Sequence, residues 1–136
     1  MPSHLLDTSV YCQPIKPKPL PSVERRWREL GDDALAISVI CEAELLYGLQ
    51  LKQSAKLNSL YEQLLQDRVQ TLTVDAAVAK TFSQIKAAGR KKGCSASDFD
   101  FLIAATAKAH GLILATLNVR HFHAIEGLAV EDWSQA

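Results

Sequence analysis

The chain has 136 residues, 48% of them hydrophobic, a size and composition that suit one globular domain, 1–136, with a buried core. Fifteen lysines and arginines balance fifteen aspartates and glutamates, so no global field draws the protein to nucleic acid or to a membrane. The three cysteines, Cys12, Cys41 and Cys94, are odd in number and lack the paired spacing of a zinc or redox motif, which points to free thiols in a reducing cytoplasm.

At the N-terminus, "MPSHLLDTSV" reaches Asp7 before a signal-type apolar run can build, and no stretch of about 20 apolar residues follows. The expectation is a soluble, intracellular protein. Leu5 and Leu6 read as strand residues ending at Asp7. In "QPIKPKPLP", residues 13–21, Pro14, Pro17, Pro19 and Pro21 exclude regular helix and central strand, so this segment reads as an extended internal loop. "SVERRWREL" follows as a helix with Ser22 as N-cap and Val23, Trp27 and Leu30 on one face.

Leu35–Ile37 suits a short strand, and Ser38 suits the cap of a helix running to about Gly48. Residues 53–66 form the next helix, with Leu57, Leu60, Leu64 and Leu65 as its apolar stripe. "RVQTLTV" alternates as a strand does, and Asp75 opens a helix that Gly89 closes. After the basic loop "GRKKG", serine-capped "SASDFDFLIAATAKAHG" is a helix ending at His110 and Gly111. "LILATL" is apolar and short enough for a buried strand, and "LAVEDW" is a last, more exposed one. Strands separated by helices predict an α/β fold, a mostly parallel sheet covered by helices on both faces.

Ligands of such sheets gather at the carboxyl ends of strands, near the point where strand order reverses. Asp7 sits at a strand end beside the hydroxyls of Thr8 and Ser9, although an Asp there also serves simply to cap a turn. Asp100, near its helix start, and Asn118, just after "LILATL", emerge on the same rim if the sheet is parallel, and Glu44 can join them. Asp7, Glu44 and Asp100 have the chemistry that a hard divalent cation such as magnesium requires, and equally that of three solvated acids. Residues two apart on a helix point about 200° apart, so only one of Glu42 and Glu44, and one of Asp98 and Asp100, is central. Geometry leaves both choices open, with Asp98 also suited to capping. His4, His110, His121 and His123 share no metal spacing with a carboxylate pair, and Cys41 reads as helix packing.

The blocks "LLDTSV", "SVICEAELLYG", "DFLIAATAKAHGLILATLNVRHF" and "GLAVEDW" resemble the PIN-domain ribonucleases, in particular the VapC-type toxins of bacterial type II toxin-antitoxin pairs. They come in family order and reach from near residue 4 to residue 133. The resemblance implies a three-layer α/β/α sandwich. It places the family acids on Asp7, on Glu44 of "AELxYG" and on Asp100, as catalytic residues and metal ligands, with Thr8, Thr116 and Asp98 supporting them. A fourth catalytic position falls on Asn118, whose missing negative charge weakens the case for a second metal. The proline-rich segment departs from the regular apolar helix of many relatives.

What the resemblance implies chemically is hydrolysis of RNA phosphodiester bonds, in transfer or ribosomal RNA, assisted by Mg2+ or Mn2+. It also implies a cognate VapB-type antitoxin, and a homodimer to which the Leu and Tyr side chains of "ELLYGLQL" bear if they are not core. Other readings of an Asp after the first strand fare less well. A haloacid-dehalogenase-type phosphatase needs a second Asp where Ser9 stands, and the acidic pair, Asp and Lys of a receiver domain do not occur in order. A weakened PIN-fold protein that binds RNA or antitoxin without cutting is the remaining alternative, motivated by Asn118 and by the prolines.

Overall fold

A computed structural model describes residues 1–135. Its elements are β1 (His4–Leu6), α1 (Thr8–Tyr11), α2 (Pro21–Leu30), β2 (Leu35–Ser38), α3 (Val39–Lys52), α4 (Ala55–Leu64), β3 (Gln70–Leu72), α5 (Ala76–Lys91), α6 (Asp98–Ala109), β4 (Ile113–Thr116) and β5 (Val130–Asp132). The strands form one five-stranded sheet of order β3-β2-β1-β4-β5, and every pairing is parallel. Every residue of β1 and β2 is buried, and so is β4 beyond Ile113, while the edge strands β3 and β5 are partly exposed. Strands buried along their whole length need cover on both faces, which gives the expected α/β/α sandwich.

The chain winds outward from β1 through β2 to β3, then crosses back beyond β1 to β4 and β5. The switch point therefore lies between β1 and β4, where Leu5 pairs with Leu114 and Leu6 with Ala115. Helix α6 turns at Gly111, in a left-handed conformation, directly into β4. Its 12 residues span about 18 Å, enough to run back along the sheet and set its N-terminus at the carboxyl rim. Fully buried Leu5, Leu6, Tyr11, Phe101, Leu114 and Phe122 fill the core beneath that rim.

Several local expectations change in the folded chain. The proline-rich segment contains a 3-10 turn, Gln13–Ile15, and buried Gln13 organises it by donating to the Ser9 carbonyl (3.2 Å) and accepting from Leu20 N–H (3.0 Å). Helix α2 starts at Pro21 with Leu20, not Ser22, as N-cap, because proline at the first helical position already has the helical φ and needs no donor. Ser22 instead donates to the Trp133 carbonyl at 2.9 Å. Val23 and Trp27 are buried as expected, and Leu30 only partly.

Helix α3 passes through Gly48 and ends at Gln53, which takes the left-handed conformation itself (φ 47). Helix α4 is shorter than 53–66 and is capped by Ser54. Tyr61 and Leu65 are its buried anchors, with Leu57 and Leu60 half-buried and Leu64 exposed. The strand in "RVQTLTV" contracts to Gln70–Leu72. Asp75 caps α5 as expected, but Gly89 does not close it: the helix continues to Lys91, and Gly89 lets the ring of Phe101 approach. Part of "GRKKG" is thus helical.

Candidate active site

Asp7 ends β1 with its N–H bonded to the Ala115 carbonyl (3.0 Å), so the switch-point ladder holds its backbone. The side chain is buried. Oδ1 accepts from Ser9 Oγ (2.5 Å) and from Val10 N–H (3.3 Å), and Oδ2 accepts from Thr116 Oγ1 (2.5 Å). Both hydroxyls are themselves acceptors, Ser9 from Leu117 N–H (3.1 Å) and Thr116 from Asn118 N–H (2.9 Å). With their lone pairs engaged from the segment after β4, each hydroxyl turns its one proton toward Asp7. Burial lifts the Asp7 carboxyl above its ordinary value, and these hydrogen bonds offset the rise only in part. No ion pair among the described residues neutralises it.

Glu44 and Glu42 point to different partners, as the 200° rule requires. Thr8, next to Asp7 in the chain, donates to Glu44 Oε1 at 2.6 Å and so ties α3 to the end of β1. Glu42 accepts instead from the Tyr11 hydroxyl (3.3 Å to Oε2). Burial first and the Glu42 charge second raise both Tyr11 and Tyr61, the latter to about 12. Cys41 is fully buried and its thiol is pushed up by burial, an inert packing group as expected. Its sulfur lies close enough to feel the charges of Asp7, Glu44 and Glu42.

At the start of α6 the N-cap is Ser97, not Asp98. Ser97 Oγ accepts from Asp100 N–H (3.1 Å), and Asp100 Oδ2 accepts from Ser97 N–H (3.3 Å), a capping box that aims Asp100 at the rim. Asp98 is exposed and turned aside to Lys86 (2.7 Å), whose hydrogen bond and charge hold its carboxyl below the usual range. His121 Nδ1 lies 3.7 Å from Asp100 Oδ2, in the 3-10 turn Val119–His121 that exposed Asn118 opens. The spacing of histidines relative to acid pairs hid this contact. Its only sequence signal is position, three residues beyond Asn118 on the strand-end segment.

The structure thus joins Asp7 to Thr116, Ser9 and, through Thr8, to Glu44, and it joins Asp100 to His121. Among the described residues no three Asp, Glu, His or Cys side chains converge closely enough to cage an ion. The donor set is nevertheless hard oxygen throughout, and a buried Asp7 without a positive partner is a place where a cation relieves a cost. Magnesium keeps several waters and takes only a few carboxylates, so it does not need a closed cage.

Fold and site together define a parallel α/β domain with an acid and hydroxyl constellation at its switch point. The sequence profile of the PIN domain matches residues 4–128. The chain is 36% identical over 130 residues to the tRNA(fMet)-specific endonuclease VapC of Shigella flexneri, covering 96% of this chain and 97% of that protein. It is 33% identical to toxin FitB of Neisseria gonorrhoeae, covering 95% and 97%. In three dimensions it matches the FitAcB crystal structure from Neisseria gonorrhoeae with TM-score 0.88 and 32% identity, covering 98% of this chain and 99% of that one. The DNA-bound VapBC structure from Salmonella typhimurium matches with TM-score 0.84 and 30% identity, over 98% and 99%. The chain belongs to the PIN domain family, in its VapC-type toxin branch.

Proposed function

We propose that this protein is an endoribonuclease toxin that hydrolyses RNA phosphodiester bonds and is neutralised by a cognate VapB-type antitoxin. The observation that carries the reading is Asp7: a buried carboxylate at the switch point, gripped by two hydroxyls and without a cationic partner among the described residues. The names of the relatives favour an enzyme over the binding-only alternative.

Asp7, Glu44 and Asp100 are the residues to hold a divalent metal, Mg2+ or Mn2+, with Asn118 offering a neutral amide oxygen beside them. When bound, such an ion supplies an activated water and neutralises phosphate charge. The chain's own part is orientation. Thr116 and Ser9 fix both oxygens of Asp7, Thr8 fixes Glu44, the capping box fixes Asp100, and Asp98 keeps Lys86 occupied at the helix start. Asn118 stands exposed at the rim, where its amide meets the phosphate or an ordered water.

Transfer RNA is the first substrate class to test, since a relative is named for it, with ribosomal RNA second. Two apolar surfaces support the partners. A groove beside Glu44, lined by Ile15, Leu45, Leu49 and Leu57, suits an antitoxin segment, and exposed Leu46, Tyr47 and Leu51 on α3 suit a second copy in a homodimer. No helix among the described residues is long and apolar enough to cross a membrane.

The test is cleavage of total bacterial RNA by wild type and Asp7→Asn, with magnesium, with manganese and with chelator. Discrete metal-dependent cuts that vanish in the variant are expected. Folded wild-type protein, free of antitoxin, that cuts nothing under any metal would overturn the proposal.

A further inference from the structure

Next to the acid rim, a cleft is walled by Lys92, Arg120, His121 and His123, with Asp100 also lining it. The turn that carries Arg120 and His121 borders a second hollow containing Asn118. Arg120 and His121 therefore form a ridge between two of the residues assigned to the chemistry.

The walls are fixed by groups other than Arg120. Arg90 donates to the carbonyls of Cys94 (2.6 Å) and Ala96 (3.0 Å), which sets the strand of chain leading to α6. His123 Nδ1 lies 2.8 Å from the Arg120 carbonyl. A carbonyl only accepts, so Nδ1 carries the proton, and His123 spends its donor on holding the Arg120 backbone in place. Lys92 is paired with Glu126, and Asp100 is engaged by Ser97 N–H and faced by His121. Lys86 is committed to Asp98, Arg26 to Glu131 and Arg68 to Asp32, while Lys16 and Lys52 line the separate groove beside Glu44. The exposed guanidinium of Arg120 has no ion pair with the described residues, and it lines both hollows.

A neutral protein with an acidic rim needs a local cation to receive a polyanion, and a guanidinium fork matches two phosphate oxygens. We infer that Arg120 binds a backbone phosphate of the RNA in this cleft, adjacent to the phosphodiester that is cut. The inference rests on the ribonuclease reading and adds to it the residue that receives the substrate.

The experiment compares Arg120→Ala, Arg120→Lys and Lys80→Ala on an RNA that the wild type cuts, measuring kcat and KM across a range of salt. Lys80 is exposed on α5, nine positions before Gly89, and its loss removes the same charge away from the cleft. Arg120→Ala should raise KM about tenfold with kcat within about twofold. It should also flatten the dependence of log KM on log salt by about 0.7, the value of one phosphate contact on a single strand. Arg120→Lys should restore the salt slope and only part of KM, because the charge returns without the fork. An unchanged KM and slope in Arg120→Ala, or an equal loss in Lys80→Ala, overturns the inference alone. A folded wild type that cuts no RNA overturns the ribonuclease reading and this inference with it.

Discussion

Gly89 and Gly48 both sit inside helices, so Ala should help each by the same propensity term, about 0.5–1 kcal/mol. Their surroundings differ. A Cβ at Gly48 meets nothing within 4 Å, whereas one at Gly89 lies 3.0 Å from Phe101 Cζ and 3.1 Å from Phe101 Cε1. The ring cannot retreat, because Phe101 is fully buried and Arg90 lies over its face at 5.2 Å. The helix cannot easily back away either, since the Gly89 carbonyl accepts from Cys94 N–H at 2.8 Å and from Lys92 N–H at 3.1 Å. Overpacking of this kind costs about 1–3 kcal/mol. Gly48→Ala is therefore expected to stabilise by about 0.5–1 kcal/mol, and Gly89→Ala to be destabilising by up to about 2.5 kcal/mol once propensity is deducted. The propensity term cancels between the variants, so their difference in urea unfolding free energy reads the steric cost directly. A difference below about 0.5 kcal/mol at equal m-values would refute the close packing of α5 on α6. Because Phe101 follows Asp100, Gly89→Ala should also lower cleavage activity, and Gly48→Ala should do so less.

Thr116→Val removes the donor to Asp7 Oδ2 and orphans Asn118 N–H, so cleavage should fall by at least about tenfold while Thr116→Ser keeps most of it. Equal rates for Val and Ser in a single-turnover assay would show that the hydroxyl is not needed. Glu131 resists burial, which would raise its pKa, through Trp133, His4 and Arg26, and the net result is a carboxyl held below its ordinary 4.5. A depressed folded pKa contributes stability above 4.5 that is lost as pH falls through the folded value. The melting-temperature gap between wild type and Glu131→Gln should be full at neutral pH and shrink in that acid window; a gap constant from neutral to strongly acidic pH would contradict it.

Asp100 illustrates why a candidate ligand can also be a folding residue. Its backbone and side chain close the capping box on Ser97, which contributes to α6 as well as orienting the carboxylate. An Asp100→Asn variant therefore tests stability and chemistry together, and so does Asp7→Asn, because buried Asp7 caps α1 through Val10 N–H and accepts from Ser9 and Thr116.

Apart from the one-turn α1, the order of strands and helices, the parallel sheet and the positions of Asp7, Asp100 and Asn118 at strand or helix ends were legible from local signals: apolar runs, caps and the glycine at 111. Helix ends were less so, because Gly48 and Gly89 read as stops while the fold uses one as an open helical position and the other as room for Phe101. The choice of Glu44 over Glu42 came from family resemblance. In the structure Thr8 meets Glu44 and Tyr11 meets Glu42, contacts made across more than thirty residues of chain that no periodicity encodes. The Asp100–His121 contact and the cleft around Arg120 are of the same kind. Local pattern determines where the chain turns and which face of it is apolar, since those depend on neighbours three or four residues away. Which acid meets which hydroxyl, and which cation is left free, depends on the strand order that brings β1 beside β4, and only the assembled sheet decides that.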